Sequence, residues 1–176
     1  MVNSSNKVAN SVIWSGIERL SVQGIQFVLT IILARLVLPS DYGLIALLTV
    51  FLVMAQVFAD SGFTMALIQK QNPTEKDFST AFYFNIVVGT IIYLLLYFLA
   101  KYIALFFQEP QLELIAKVVF LNIIISSFAV VQRAKLTLAL NFKLQTVASL
   151  FAVVVSGVCG VYLAYNGYNV WALVVQ

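Results

Sequence analysis

Residues 78–100 read FSTAFYFNIVVGTIIYLLLYFLA, twenty-three positions without one Asp, Glu, Lys or Arg. As a helix at ~1.5 Å per residue this run exceeds the ~30 Å hydrocarbon core of a bilayer, so it predicts a membrane-spanning helix. Charge-free windows also occupy 20–34, 42–59, 118–132 and 144–176, and each widens across one edge charge to the ~20 residues a span needs. The resulting expectation is an all-α membrane protein: a polytopic helical bundle with five transmembrane helices near 12–37, 42–60, 78–106, 114–132 and 144–165. Residues 170–176 open a sixth, and 1–176 form a single transmembrane domain. A β-barrel is disfavoured because these runs are continuously apolar, whereas barrel strands alternate over ~10 residues. The one strict alternation, RAKLTLALNFK at 133–143, is short and isolated and reads as a basic, apolar segment at the interface.

Composition points the same way. Of 176 residues, 62 % are hydrophobic and 10 % charged, against roughly a quarter charged in soluble domains, and mean hydropathy is +0.99. There is no His and one Cys, Cys159, which removes the usual general base and any disulfide or thiolate-metal site. The expectation is no metal, no cofactor and no catalytic residue. Ten basic and seven acidic residues scatter between apolar runs, which is topological information and offers no surface for nucleic acid.

Punctuation between the spans is short: Pro39-Ser40-Asp41, Asn72-Pro73-Thr74, Glu109-Pro110 and Asn166-Gly167. Consecutive spans should therefore be antiparallel hairpins. Residues 1–11 lead into the first apolar run without a cleavage site, which predicts a retained signal anchor. With the N-terminus inside, Lys7, Lys70, Lys76, Arg133, Lys135 and Lys143 are cytoplasmic, against Arg35, Lys101 and Lys117 outside, so the bias favours that orientation.

Polar residues inside the spans carry the functional signal. Ser11, Ser15, Glu18, Arg19, Gln23, Gln26 and Thr30 fall within about 140° of the first helix's surface at ~100° per residue. Tyr42, Thr49, Gln56 and Asp60 fall within about 40° of the second, and Tyr83, Thr90, Tyr93, Tyr97 and Lys101 within about 80° of the third. Such stripes either hydrogen-bond to neighbouring helices or line a watery cavity. A charge at mid-helix costs ~2.5 to 3.5 kcal/mol on the insertion scale, so Glu18, Arg19 and Asp60 need partners or water. The hairpin about Ser40 sets Arg19 and Asp60 at equal depth, which predicts their pairing with Glu18 close by. Asp60-Ser61-Gly62 should break the second span, leaving 63–69 as a short interfacial piece and a candidate hinge. In the fifth span Ala148, Ala152, Ser156, Gly160 and Ala164 recur every fourth residue and read as a helix-packing face, with Cys159 a small core residue beside it.

The string Trp14-Ser15, Glu18-Arg19, Gln26-Phe27 and ARLVLPSDYGLIAL at 34–47 resembles the opening of polysaccharide flippases of the multidrug/oligosaccharidyl-lipid/polysaccharide superfamily. DSGF at 60–63, ALIQKQNPTEKDFSTAFYFN at 66–85, VQR at 131–133, NFK at 141–143 and WALVVQ at 171–176 continue it. They are similar to the branch that exports colanic-acid-like and teichuronic-acid-like polymers. The resemblance implies two six-helix lobes facing each other across a cavity, with alternating access and coupling to an ion gradient. It implies that this chain is the first, N-terminal lobe of a protein two to three times longer, whose C-terminal lobe is a required partner. It further implies a place in the bacterial cytoplasmic membrane.

A flippase needs a polar cavity open sideways to lipid, because the head group of a lipid-linked saccharide cannot cross hydrocarbon unaided. A polyprenyl pyrophosphate carrier asks for an intramembrane cation, and Arg19 is the one basic residue away from a span edge. The candidate substrate-cavity residues are therefore Arg19, Glu18, Gln23, Gln26, Gln56 and Asp60, with membrane lipids as the surrounding partner. Glu18 and Asp60 would pair with Arg19 or serve as coupling carboxylates. Two other functions stay open. One is a membrane enzyme of lipid-linked sugar metabolism, which the lack of His and of an Asp-x-Asp pair weakens. The other is a small self-contained pore or structural membrane protein.

Overall fold

The computed structural model describes the backbone of residues 2–59, 74–139 and 142–176 and, within these, the side chains of Trp14 and of residues from 16 onward. Among the described residues there are six helices: α1 Val2–Leu36, α2 Pro39–Ala59, α3 Glu75–Phe106, α4 Gln111–Leu138, α5 Phe142–Tyr165 and α6 Asn169–Val175. The all-α expectation holds. Five segments are long and apolar enough to cross a membrane: Gly16–Leu36 of α1, then α2, α3, α4 and α5 whole.

The ends of the helices follow local chemistry. Leu38 precedes a proline, which disfavours the helical region, and Pro39 then starts α2 at the position where a missing N–H costs nothing. Helix α3 begins three residues before the expected 78, because Thr74 and Asp77 form a reciprocal capping box. The Thr74 N–H donates to Asp77 Oδ2 at 2.8 Å and the Asp77 N–H to Thr74 Oγ1 at 3.4 Å. At its far end Gln108 sits at φ 58°, and the Glu109 N–H reaches Ala104 O at 3.1 Å while the Gln108 N–H reaches Leu105 O at 3.2 Å. These are the two bonds of a Schellman stop. Gly167 at φ 80° ends α5 in the same way, with the Tyr168 N–H on Leu163 O at 3.0 Å and the Gly167 N–H on Ala164 O at 3.1 Å.

One boundary differs in kind. The alternating stretch 133–143 begins as the last turns of α4, which runs to Leu138. Period-two alternation over a few residues does not prevent a helix. Arg133 and Lys135 lie where the negative end of the α4 dipole favours cations, and Ala134 is buried.

The described residues form two compact units, one up to Gly43 together with those from Lys135 on, the other from Leu44 to Ala134. In the second, α3 and α4 are antiparallel, as a short connection requires. Phe78 and Ala81 pack with Val131 and Ala134, Phe82 meets Phe128 edge-on at 5.9 Å, and Gly89 lies against Ser127. In the first, α1 and α5 run parallel: Trp14 pairs with Thr146, Glu18 with Ser149, Leu29 with Gly157 and Leu33 with Gly160. Helix α6 folds back on α5, and Leu33, Val37, Ala164 and Ala172 form the cluster where α1, α5 and α6 meet.

Candidate functional site

Helix α1 has the lowest mean hydropathy of the five candidate spans and is also the least covered by the rest of the chain. Its polar side chains are therefore not tucked into the bundle, and its surface divides into three strips. Trp14, Glu18, Leu29 and Leu33 face α5. About 180° away, Leu20, Phe27 and Ile31 are exposed apolar residues suited to lipid. Between these strips Arg19, Gln23, Gln26 and Thr30 occupy an arc of about 60° and all are exposed.

Glu18 sits at the edge of that polar strip, half-buried, and its Oε1 accepts the hydroxyl of Ser149 on α5 at 2.7 Å. Four residues earlier Lys143 Nζ lies 5.8 Å from the centroid of the Trp14 ring, and the Thr146 hydroxyl approaches Trp14 O at 3.3 Å. Glu18 and Arg19 follow Trp14 by about one turn, ~6 Å along α1.

Above Arg19 a cavity of about 250 Å³ opens between α1, α5 and α6, lined by Gln26, Leu29, Thr30, Val153, Ser156, Leu173 and Gln176. Thr30 Oγ1 donates to Gln26 O at 2.8 Å and Ser156 Oγ to Val153 O at 3.2 Å. Both hydroxyl protons are thus held within their own helices.

The expected site residues separate accordingly. Glu18, Arg19, Gln23 and Gln26 share α1, while Gln56 is half-buried on α2 in the other unit, with an interaction of its own. Asp60 lies outside the described residues, and with it the expected Arg19 to Asp60 pairing, the break at 60–62 and the interfacial piece 63–69. Among the described residues Glu18 pairs with Ser149 and makes no ion pair with Arg19.

Of the five small residues on α5, Gly160 and Ala164 are buried, Ser156 is half-buried, and Ala148 and Ala152 are exposed. The face that packs on α1 and α6 instead runs through Thr146, Ser149, Gly157, Gly160 and Ala164. A strict four-residue step turns ~40° each time and leaves one face, whereas alternating steps of three and four stay within about 80°. Counting at that alternating interval would have found Ser149 and Gly157 in the sequence. Asn85 gave no such signal. It is 4 % exposed on α3, and its side-chain N–H group has no hydrogen-bond acceptor among the described residues.

The sequence pattern of the polysaccharide biosynthesis protein family matches residues 32–176. The chain belongs to that family. It is 24 % identical over 173 residues to the succinoglycan biosynthesis transport protein ExoT of Rhizobium meliloti, covering 98 % of this chain and 35 % of ExoT. It is 27 % identical over 156 residues to the teichuronic acid biosynthesis protein TuaB of Bacillus subtilis, covering 89 % and 32 % respectively. To the lipopolysaccharide biosynthesis protein WzxC of Escherichia coli it is 22 % identical over 152 residues, covering 86 % and 31 %. The chain spans about a third of the length of these relatives. No solved structure matches it. Membership in the family and five apolar helices make the chain a multi-pass membrane protein, and the resemblance carried by its motifs is borne out.

Proposed function

We propose that this chain forms the N-terminal lobe of a flippase, not an enzyme, that moves a lipid-linked saccharide repeat unit across the bacterial cytoplasmic membrane by alternating access. The observation that carries the reading is the exposed polar strip of α1, with Arg19 at its base, on a helix whose opposite face is apolar. A lipid-facing helix would leave three polar side chains and a guanidinium in hydrocarbon, a cost that water or a polar ligand removes. A sugar head group is such a ligand, and the phosphate that joins it to a polyprenyl carrier is matched by the fork of a guanidinium. The N-terminus lies in the cytoplasm, the C-terminal lobe completes the cavity wall, and the carrier tail stays in membrane lipid throughout.

The test is export in the intact protein bearing Arg19→Gln or Arg19→Lys, with protein level measured in parallel. Arg19→Gln should cut surface polymer at least tenfold and leave the lipid-linked repeat unit on the cytoplasmic leaflet. Arg19→Lys, which keeps the charge and loses the fork, should retain part of the activity. Full export by Arg19→Gln at a normal protein level removes Arg19 from the substrate path, and full export after deletion of the whole gene overturns transport.

A further inference from the structure

The polar strip of α3 has no part in the reading of α1, and one end of it meets α4 in a cluster of cations and rings. Tyr93, Tyr97 and Lys101 follow at intervals of four and share an arc of about 80° on α3. The rings of Tyr93 and Tyr97 lie 5.9 Å apart. From α4, Lys117 brings its ammonium to 4.9 Å from the centroid of the Tyr97 ring and to 2.7 Å from Glu113 Oε1. Lys101 is exposed and lies within electrostatic reach of the same carboxylate. Two ammoniums thus share one carboxylate, and the cluster keeps a positive charge in excess. Neither the two tyrosine hydroxyls nor the Lys101 ammonium donates a hydrogen bond to a described residue. These donors are open to an acceptor from outside.

The flanks of the cluster and its level along the helices narrow the kind of acceptor. Beyond Lys101 the α3 surface continues in Leu94, Phe98 and Leu105, and beyond Lys117 the α4 surface continues in Leu114 and Leu121, all exposed. Helix α3 has 32 residues, ~48 Å of helix, which overruns a ~30 Å hydrocarbon core at both ends when centred, even at a ~20° tilt. Lys101 stands two turns or less from the end of α3, and Lys117 about as far from the start of α4. The cluster therefore sits where headgroup and acyl chain meet. A dissolved anion would gain nothing from the apolar flanks, whereas a lipid joins an anionic phosphate to chains that cover them. The excess positive charge disfavours a headgroup that also carries an ammonium.

We propose that Lys101, Lys117, Tyr93 and Tyr97 form a site for the phosphodiester of an anionic membrane phospholipid, whose chains lie on the flanking apolar surface. Glu113 holds Lys117 over the Tyr97 ring, and Lys101 and the hydroxyls supply donors to the phosphate oxygens. The proposal needs a chain that spans a membrane and does not rest on the flippase reading.

The test is native mass spectrometry of the intact protein in detergent, titrated with phosphatidylglycerol or phosphatidylcholine of identical chains. The protein should hold phosphatidylglycerol more tightly. Lys101→Gln should weaken that lipid about fivefold, the weight of one basic residue at an anionic membrane surface, and leave phosphatidylcholine unchanged. Tyr97→Phe should weaken it two- to tenfold, as loss of one hydrogen bond does. Lys76→Gln, exposed at the other end of α3, should change nothing. Equal affinity for the two lipids, or no effect of Lys101→Gln, overturns the site. A loss in Lys76→Gln as large as in Lys101→Gln overturns it as well, by reducing the preference to diffuse surface charge. Polyprenyl phosphate is the third probe: if it displaces phosphatidylglycerol and Lys101→Gln abolishes its binding, the site belongs to a carrier lipid and the assignment to phospholipid falls.

Discussion

Glu18 spends its carboxylate on Ser149 across the α1–α5 contact, and the neighbouring Arg19 faces outward. Adjacent residues on a helix point ~100° apart, so one can fasten the helix while the other serves the cavity. This division predicts different consequences for the two positions. Ser149→Ala removes the donor and leaves Glu18 less satisfied. Coupling between Ser149→Ala and Glu18→Ala, measured by denaturant unfolding of the intact protein, should be about 0.6 kcal/mol, the average for side-chain hydrogen bonds within membranes, and no more than about 1.7 kcal/mol. Additive effects would mean that the contact carries no stability. Arg19→Gln, by contrast, should leave the unfolding midpoint within experimental error.

At the scale of helices, α1 and α5 touch through small residues, which is how membrane helices gain contact when lipid is as apolar as their own side chains. A Cβ at Gly160 would stand 3.1 Å from the Ala172 carbonyl oxygen, a backbone atom that cannot swing aside. Gly160→Leu should therefore destabilise the intact protein by about 1 to 3 kcal/mol. Val154→Leu, on the exposed side of the same helix, should stay within about 0.5 kcal/mol, and equal losses would dissolve the packing argument. The sequence exposed all five spans, because bilayer thickness dictates their length and hydropathy their location. It also exposed the polar strip, which needs only helical periodicity. The early start of α3 is set by the Thr74-x-x-Asp77 cap, a polar signal that hydropathy does not register. The pairing of Glu18 with Ser149 was beyond reach, since residues 131 positions apart meet only through tertiary packing. Packing also chose Gly157 over Ala152, through a rotation too small to appear in a count of every fourth residue.

For the whole molecule, orientation decides which end of the α1 strip would be the loading side of the proposed flippase. Six Lys and Arg flank the spans on the side assigned to the cytoplasm and three on the other, and the positive-inside bias acts on short connections such as these. Lys143 lies over the Trp14 ring at 5.8 Å. Within the other unit, where α3 ends and α4 begins, Lys117 lies over the Tyr97 ring at 4.9 Å and is paired with Glu113 at 2.7 Å, a half-buried arrangement of a cation and an aromatic ring. In the proposed flippase an N-terminus inside would put Arg19 toward the cytoplasmic end of α1, where a phosphate arriving from that leaflet would first meet it. Single cysteines replacing Glu109 or Ala139, both exposed, in a background carrying Cys159→Ser should settle the orientation. In intact cells an impermeant maleimide should label position 109 and spare position 139, and permeabilisation should make 139 reactive. Labelling at 139 alone would invert the orientation and put Arg19 at the outer end of α1, where a phosphate loaded from the cytoplasm would meet it last.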